Sequence, residues 1–351
     1  MSFRAKYPVL ILLILLLSSC SGRSRYVVLS GYAQGGTYSV KIDISDTRVP
    51  QETIASAVDS ILTLVDTTLS GYNKASILSR FNAGETVVPN TLFSDIYAFS
   101  RDIFEQTDGR VDVAAGPLFD IWGFGFSTDS LPSEDVVRRT LATCGMSRLA
   151  PSIAAGEPLT ALDLVQDEGS ETGARLNFNA IAQGYTCDLV ASYLHSIGIR
   201  HMLVDIGEIY CEGLNPSGKG WSIGVDRPFD GNDTPGADID GIWTSEGRSC
   251  GIVTSGNYRK FYVRDGRKYA HTIDPRTGYP VDHNLLSATI VAPNAAEADA
   301  LATFCMVLGL DAARDFVLSR EDIEGYLIYD EDGTMKEWRS DGFTLKPTDW
   351  R

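Results

Sequence analysis

Asp299 and Thr303 stand four residues apart in the segment from Asn294 to Gly309. On a helix that spacing brings two side chains one turn apart on the same face. One carboxylate and one hydroxyl form a partial oxygen shell of the kind a hard cation such as Mg²⁺ accepts, since it keeps other positions for water and substrate phosphate. The same spacing equally describes a solvated helix face. A second candidate is His271, one of four histidines, beside a tight turn dictated by Asp274-Pro275 and Gly278. Its ring suits a general base near neutral pH, or a structural contact at the turn. Between Asp108 and Gly125, glycines alternate with Trp122 and Phe124. Glycines let a backbone approach a ligand and aromatics stack on planar rings, although the same residues also fill cores. Asn177 to Tyr185 leads into a helix whose first N–H groups suit a phosphate. The chain has no P-loop, no Gly-x-Gly-x-x-Gly fingerprint, no zinc-protease helix motif and no nucleophile elbow, which excludes the commonest nucleotide and hydrolase chemistries.

The elements that must position these residues follow from periodicity. Tyr38 to Ile44 alternates with period two and predicts a strand. Pro50 opens a helical stripe of Ile54, Val58, Ile61, Leu62, Val65 and Leu69, and Leu92, Phe93, Ile96, Phe99 and Ile103 form another, stopped by Asp108-Gly109. A third helix runs from about Ile181 to Leu194. A fourth begins at Asn294, with Glu297 as a capping box, and ends at Gly309. On that helix Leu301, Phe304, Cys305 and Leu308 make the apolar stripe, with Asp299 and Thr303 expected roughly opposite. Strands are expected at His201 to Ile206, Trp221 to Val225, Tyr258 to Val263 and Leu286 to Ala292. Arg227 to Gly247, rich in Asp, Gly and Pro, reads as a long surface loop, and Thr172-Gly173-Ala174 as a hairpin turn. Irregular interleaving of helices and strands predicts an α+β fold with mixed or antiparallel sheets and packed helices.

Composition limits the partners. The chain has 351 residues, 44% of them hydrophobic, and a formal net charge of -16. That is enough apolar material for a real core. No uniformly basic surface exists to hold nucleic acid, and any phosphate would need a local cation or backbone N–H groups. Arg4 and Lys6 precede an apolar run from Val9 to Leu17, then Ser18, Ser19 and Cys20. This is too short for a mature transmembrane span and looks like a bacterial lipobox with Cys20 lipidated. Residues 1–19 are then a lipoprotein signal peptide, 20–25 a tether and 26–351 the body. The expected location is the cell envelope, anchored to membrane and facing the periplasm or exterior. Cys144, Cys187, Cys211, Cys250 and Cys305 follow Cys20, an odd count without a compact spacing, so most are read as buried, inert small hydrophobes.

Seven segments in order resemble the ApbE family of FAD:protein FMN transferases over nearly all of the mature chain. They are Gly35 to Tyr38; Leu69 to Tyr72 with Ser79 to Asn82; Thr107 to Gly125; Ala180 to Tyr185; Thr254 to Tyr258; His271 to Pro280; and Ala298 to Thr303. The resemblance implies a two-lobed single catalytic unit. It implies Mg²⁺ held by the Ala180 carbonyl with Asp299 and Thr303, and FAD contacts at Gln34, Tyr72, Trp122, Gly123, Phe124, Asn177, Gln183 and Ile273. His271 would be the catalytic base. The implied reaction joins FMN from FAD to a Ser or Thr hydroxyl of an exported acceptor, typically a redox-complex subunit, and releases AMP. A metal-dependent FAD pyrophosphatase and a non-catalytic flavin-binding lipoprotein are the alternatives. Three positions depart from the family pattern. Gln183 stands where many members have Lys, Gln34 where Met is common, and Gly207 alone where two adjacent glycines are usual.

Overall fold

The structure is a computed structural model that describes residues 25–124, 131–167, 169–170, 172–232, 234, 236–258, 261–264 and 267–348. Cys20, the segment before it and Gly125 lie outside the described residues. The chain opens with β1 (Tyr26–Ala33) and β2 (Gly36–Asp43), then α1 (Gln51–Leu69), α2 (Ile77–Asn82), α3 (Thr91–Gln106), α4 (Gly116–Ile121), α5 (Glu134–Thr143) and α6 (Ala182–Ser196). It continues with β3 (Met202–Asp205), β4 (Ile209–Glu212), β5 (Ser222–Asp226), β6 (Ile239–Thr244), β7 (Cys250–Gly256), β8 (Phe261–Arg264), β9 (Arg267–Ala270), β10 (Ile273–Asp274), β11 (Tyr279–Pro280) and β12 (Leu285–Ala292). Last come α7 (Ala295–Leu308), α8 (Leu310–Leu318), β13 (Glu324–Glu331), β14 (Thr334–Arg339) and β15 (Leu345–Pro347).

Eight strands form one sheet in the order β1-β2-β3-β4-β7-β12-β13-β14, and β15-β6-β5 form a smaller one. Every strand pairing in both is antiparallel, which bears out the α+β expectation. Alternation along β12 shows how the large sheet is used on both faces. Ala288 and Ile290 pack with α7, whereas Val291 joins Ile252, Trp221 and Trp243 between the two sheets. On α6, Cys187, Val190 and Leu194 pack with Val40 and Ile42 of β2 and Ile54 and Val58 of α1.

The predicted helices appear close to their expected limits, because their caps are local. Asn294 accepts the Glu297 N–H at 2.8 Å, and Gly309 closes α7 with a φ of 79°. Two expectations fail. The surface loop from Arg227 to Gly247 contains β6, whose Trp243 is buried against β15 and β5; its apolar residues are hidden among Asp and Gly, and pairing decides the outcome. Among the described residues, no paired strands flank Thr172-Gly173-Ala174. Ala174 instead donates to the Ala161 carbonyl at 2.8 Å and is buried.

Candidate active site at the α6–α7 junction

The site grows from a close contact of two helices. A Cβ built on Gly184, in the first turn of α6, would stand 2.2 Å from the Ala295 carbonyl oxygen, so only glycine permits this approach. Four residues on, Asp188 accepts the Ala295 and Ala296 N–H groups at 2.9 and 2.8 Å. Its carboxylate thereby satisfies the free amides at the start of α7, where negative charge is favoured. Burial pushes the Asp188 carboxyl up to about 6.

Asp299 lies one turn into α7 and is 5% exposed. Its Oδ2 accepts the Gly184 N–H at 3.1 Å. As the third residue of α6, Gly184 has no partner for that N–H within the helix, and Asp299 takes it. The Ala180 carbonyl, just before the helix, accepts no backbone hydrogen bond among the described residues. Burial, with Asp188 adding to it, pushes the Asp299 carboxyl up to about 8. Thr303 Oγ1 is 3.4 Å from Ser255 Oγ on β7 and is only partly buried on a helix otherwise enclosed along most of its length. A buried carboxyl whose charge is costly until a positive partner shares its surroundings, an unclaimed carbonyl and a hydroxyl a turn away fit a hard oxygen-seeking cation. Among the described residues no group of three or more His, Cys, Asp or Glu converges, so a shell here would rely on the carbonyl and the hydroxyl.

The structure corrects two features of the sequence reading. Asp299 and Thr303 do not lie on a solvated face opposite an apolar stripe; α7 runs between the sheet and other helices, and Ala298, Ala300 and Ala302 are as buried as Leu301. The start of α6 does not offer a full set of free amides either. The Ala182 N–H goes to the Phe178 carbonyl and the Gly184 N–H to Asp299.

A cleft of about 780 Å³ opens beside this junction, lined by Gln34, Tyr38, Asp59, Asp66, Tyr72 and Gln183 among others. A smaller hollow of about 260 Å³ shares Gly71, Tyr72 and Asn179 with it and adds Lys74, Phe124, Arg175 and Asn177. Tyr72 stands between the two and is 73% exposed. Gln34 occupies the β1–β2 turn with a φ of 50°, followed by Gly35 at 83°, the conformation of a type I′ hairpin. Its Nε2 donates to Thr186 Oγ1 at 2.6 Å. Gln183 Nε2 donates to the Ile206 carbonyl at 3.2 Å and lies where a Cβ on Gly207 would be, 2.4 Å away. Gly207 has a φ of 93° in the β3–β4 turn, so the single glycine suffices for the backbone path and also makes room for Gln183.

The hairpin β10–β11 forms at the predicted turn, with the Gly278 N–H donating to the Asp274 carbonyl at 2.8 Å. Arg276 at its tip pairs with Asp108 at 2.6 Å. Trp122 donates from Nε1 to the Gly278 carbonyl at 2.8 Å and packs with Ile273 and Leu118 in a small core. Both side chains are buried, so they hold the hairpin in place. Phe124, after the left-handed Gly123, places its ring 6.5 Å from that of His271. The structure thus gathers Gln34, Tyr72 and Gln183 on one cleft, Tyr72, Phe124 and Asn177 on the adjoining hollow, and His271 beside Phe124.

Sequence reasoning missed several positioning residues. Asn82 offers Leu176 both a donor at 2.8 Å and an acceptor at 2.9 Å, imitating a strand partner for the segment that carries Asn177. The sequence also gives no sign of the part played by Asp188, or of the contact that Ser255, within the Thr254 to Tyr258 segment, makes with Thr303. Asp188 sits four residues after Gly184, a spacing that marks a shared helix face, but nothing local reveals that α7 begins there.

A model of the ApbE family matches residues 35–327. The FAD:protein FMN transferase of Escherichia coli strain K12 is 32% identical over 324 residues, covering 90% of this chain and 88% of that protein. Its namesake from Haemophilus influenzae is 30% identical, with 93% of each chain covered. Among solved structures, the flavin transferase ApbE from Vibrio cholerae superimposes with a TM-score of 0.73 at 30% identity, covering 91% of this chain and 98% of that one. The Pseudomonas stutzeri flavinyl transferase ApbE gives 0.76 at 29%, covering 91% and 95%. With the match running through nearly all of the body, this chain belongs to the ApbE family.

Proposed function

We propose that the chain is an exported, lipid-anchored FAD:protein FMN transferase that acts with Mg²⁺ on a Ser or Thr hydroxyl of another exported protein and releases AMP. The observation that carries this reading is the α6–α7 junction, where the Gly184 amide is given to buried Asp299 and the Ala180 carbonyl is left unclaimed among the described residues, beside a cleft of about 780 Å³. Bound by Ala180, Asp299 and Thr303, Mg²⁺ would offset the pyrophosphate charge of FAD in a molecule whose own surface is acidic. The protein's residues supply the rest. Tyr72 and Phe124 offer rings to the isoalloxazine, with Gln34 and Asn177 at the cleft walls. Trp122 and Ile273 fix the hairpin that carries His271. His271 takes the acceptor's hydroxyl proton; the oxygen attacks the FMN phosphorus, and the phosphoanhydride bond to AMP breaks. Gln183 brings no positive charge, and its amide is spent on the Ile206 carbonyl, which leaves the cation as the main neutralising charge.

The test is to incubate the protein with FAD, Mg²⁺ and peptides carrying an Asp-x-x-Ser/Thr-Gly-Ala-Ser/Thr sequence, then read peptide mass and free nucleotides. Peptide heavier by FMN together with AMP is the expected result. Free FMN with unmodified peptide would replace the transferase by a pyrophosphatase, and unchanged FAD would leave only flavin binding.

A further inference from the structure

Cys211 on β4 and Cys250 on β7 are direct register partners, in the ladder that also pairs Tyr210 with Gly251. Directly opposed residues of an antiparallel pair project to the same face. The two Sγ atoms stand 3.8 Å apart, 39 residues apart in sequence, and both side chains are buried between the two sheets with Leu203, Trp221 and Ile252. Cys187 by contrast spends its S–H on the Glu208 carbonyl at 3.1 Å. Directly opposed strand residues hold their β-carbons about 4.5 to 5.5 Å apart and a bridge needs about 3.5 to 4.5 Å, so side-chain rotation with a small approach of the two strands brings the sulfurs together. We propose that Cys211 and Cys250 form a disulfide that staples β4 to β7 when the chain folds in the presence of a disulfide oxidant. This holds whether or not the flavin-transfer reading is correct.

The chemistry balances as ordinary thiol–disulfide exchange. One of the two cysteines, as its thiolate, attacks a disulfide R–S–S–R and expels one thiolate. The other then loses its proton and attacks the sulfur of the mixed disulfide, expelling the second. Two cysteine protons end on two R–SH molecules, and the oxidant is reduced by two electrons. Because both sulfurs are enclosed in the finished fold, exchange belongs to folding, before the smaller sheet covers them. The staple would join two strands that reach the site. β4 leaves the turn where Gly207 meets Gln183, and β7 leads to Ser255, which touches Thr303.

The full chain is unfolded with a reductant, refolded with a mixture of oxidised and reduced glutathione, alkylated under denaturing conditions and mapped by mass. A peptide containing Cys211 joined to one containing Cys250, two hydrogens lighter than their sum, is expected, with Cys144, Cys187 and Cys305 alkylated. The oxidised protein should melt roughly 3 to 6 °C above the reduced one, a gain absent from Cys211→Ser. Alkylation of both Cys211 and Cys250, glutathione on either, or a bridge to another cysteine would overturn the proposal. Mapping is done on the unaltered chain, so a poorly folding variant does not decide it.

Discussion

Asp299 sits where a negative charge is costly unless something positive shares its surroundings, and its one hydrogen-bond donor among the described residues is the Gly184 amide. Asn at this position keeps an oxygen for that amide, so Asp299→Asn should fold; what it loses is the only formal negative charge offered to the cation by Ala180, Asp299 and Thr303. Mg²⁺ at about a hundredfold over its dissociation constant stabilises a protein by about 2.7 kcal/mol, visible as a rise in melting temperature. That rise should vanish in Asp299→Asn and shrink in Thr303→Val, where extra Mg²⁺ partly restores it. An Asp299→Asn protein that keeps the full rise would return this residue to a purely structural role. For His271, replacement by Ala should leave FAD binding intact and lower transfer by about 10² to 10⁴, the usual span for a general base. Near-normal turnover in a titration of FAD and peptide would remove it from the mechanism.

Two elements meet at Gly184 with no room for a methyl group against backbone. Overpacking commonly costs about 1 to 3 kcal/mol, and here the clash is with the Ala295 carbonyl rather than with a side chain that could turn away. Gly184→Ala should therefore lie at or above the upper end of that range by denaturant unfolding, and it should weaken the Mg²⁺ response as α6 and α7 separate. The turn between α3 and α4 carries a different liability. Asp112 accepts the Ala114 N–H at 2.8 Å and the Met146 N–H at 3.1 Å, yet burial outweighs these bonds and raises its carboxyl from 3.8 to about 6. The fold thus favours the protonated form. The stability this group adds is present below about 3.8 and is lost as pH rises through about 6. Asp112→Asn should flatten the fall in melting temperature between those values, gaining on the order of 1 to 3 kcal/mol relative to the parent at pH 7. Parallel pH–stability curves for the two proteins would contradict this.

The whole molecule is acidic, and among its described residues no helix is long and apolar enough to cross a membrane. In the proposed reading, attachment to a membrane comes from a lipid at Cys20, which lies outside the described residues. Cys20→Ser should move the protein from the membrane pellet to the soluble exported fraction. Retention in the pellet after a salt wash would refute the anchor. At this scale the acidic surface also fits a phosphate site whose positive charge arrives with a cation.

What the residues determined without any three-dimensional information was whatever is written locally or repeated in a pattern. The ends of α7 were legible in Asn294, Glu297 and Gly309, the β10–β11 turn in Asp274-Pro275 and Gly278, and the family in seven ordered segments. Tertiary structure decided the rest. Whether β6 is strand or loop depended on pairing with β5 and β15. Whether Asp299 faces water or a core depended on what covers α7, which the spacing of Asp299 and Thr303 leaves open. The partnership of Gly184 with Ala295, of Asn82 with Leu176 and of Cys211 with Cys250 joins residues separated by 39 to 111 positions. Such contacts have no local signature, because it is burial and backbone pairing in the assembled fold that bring them within reach.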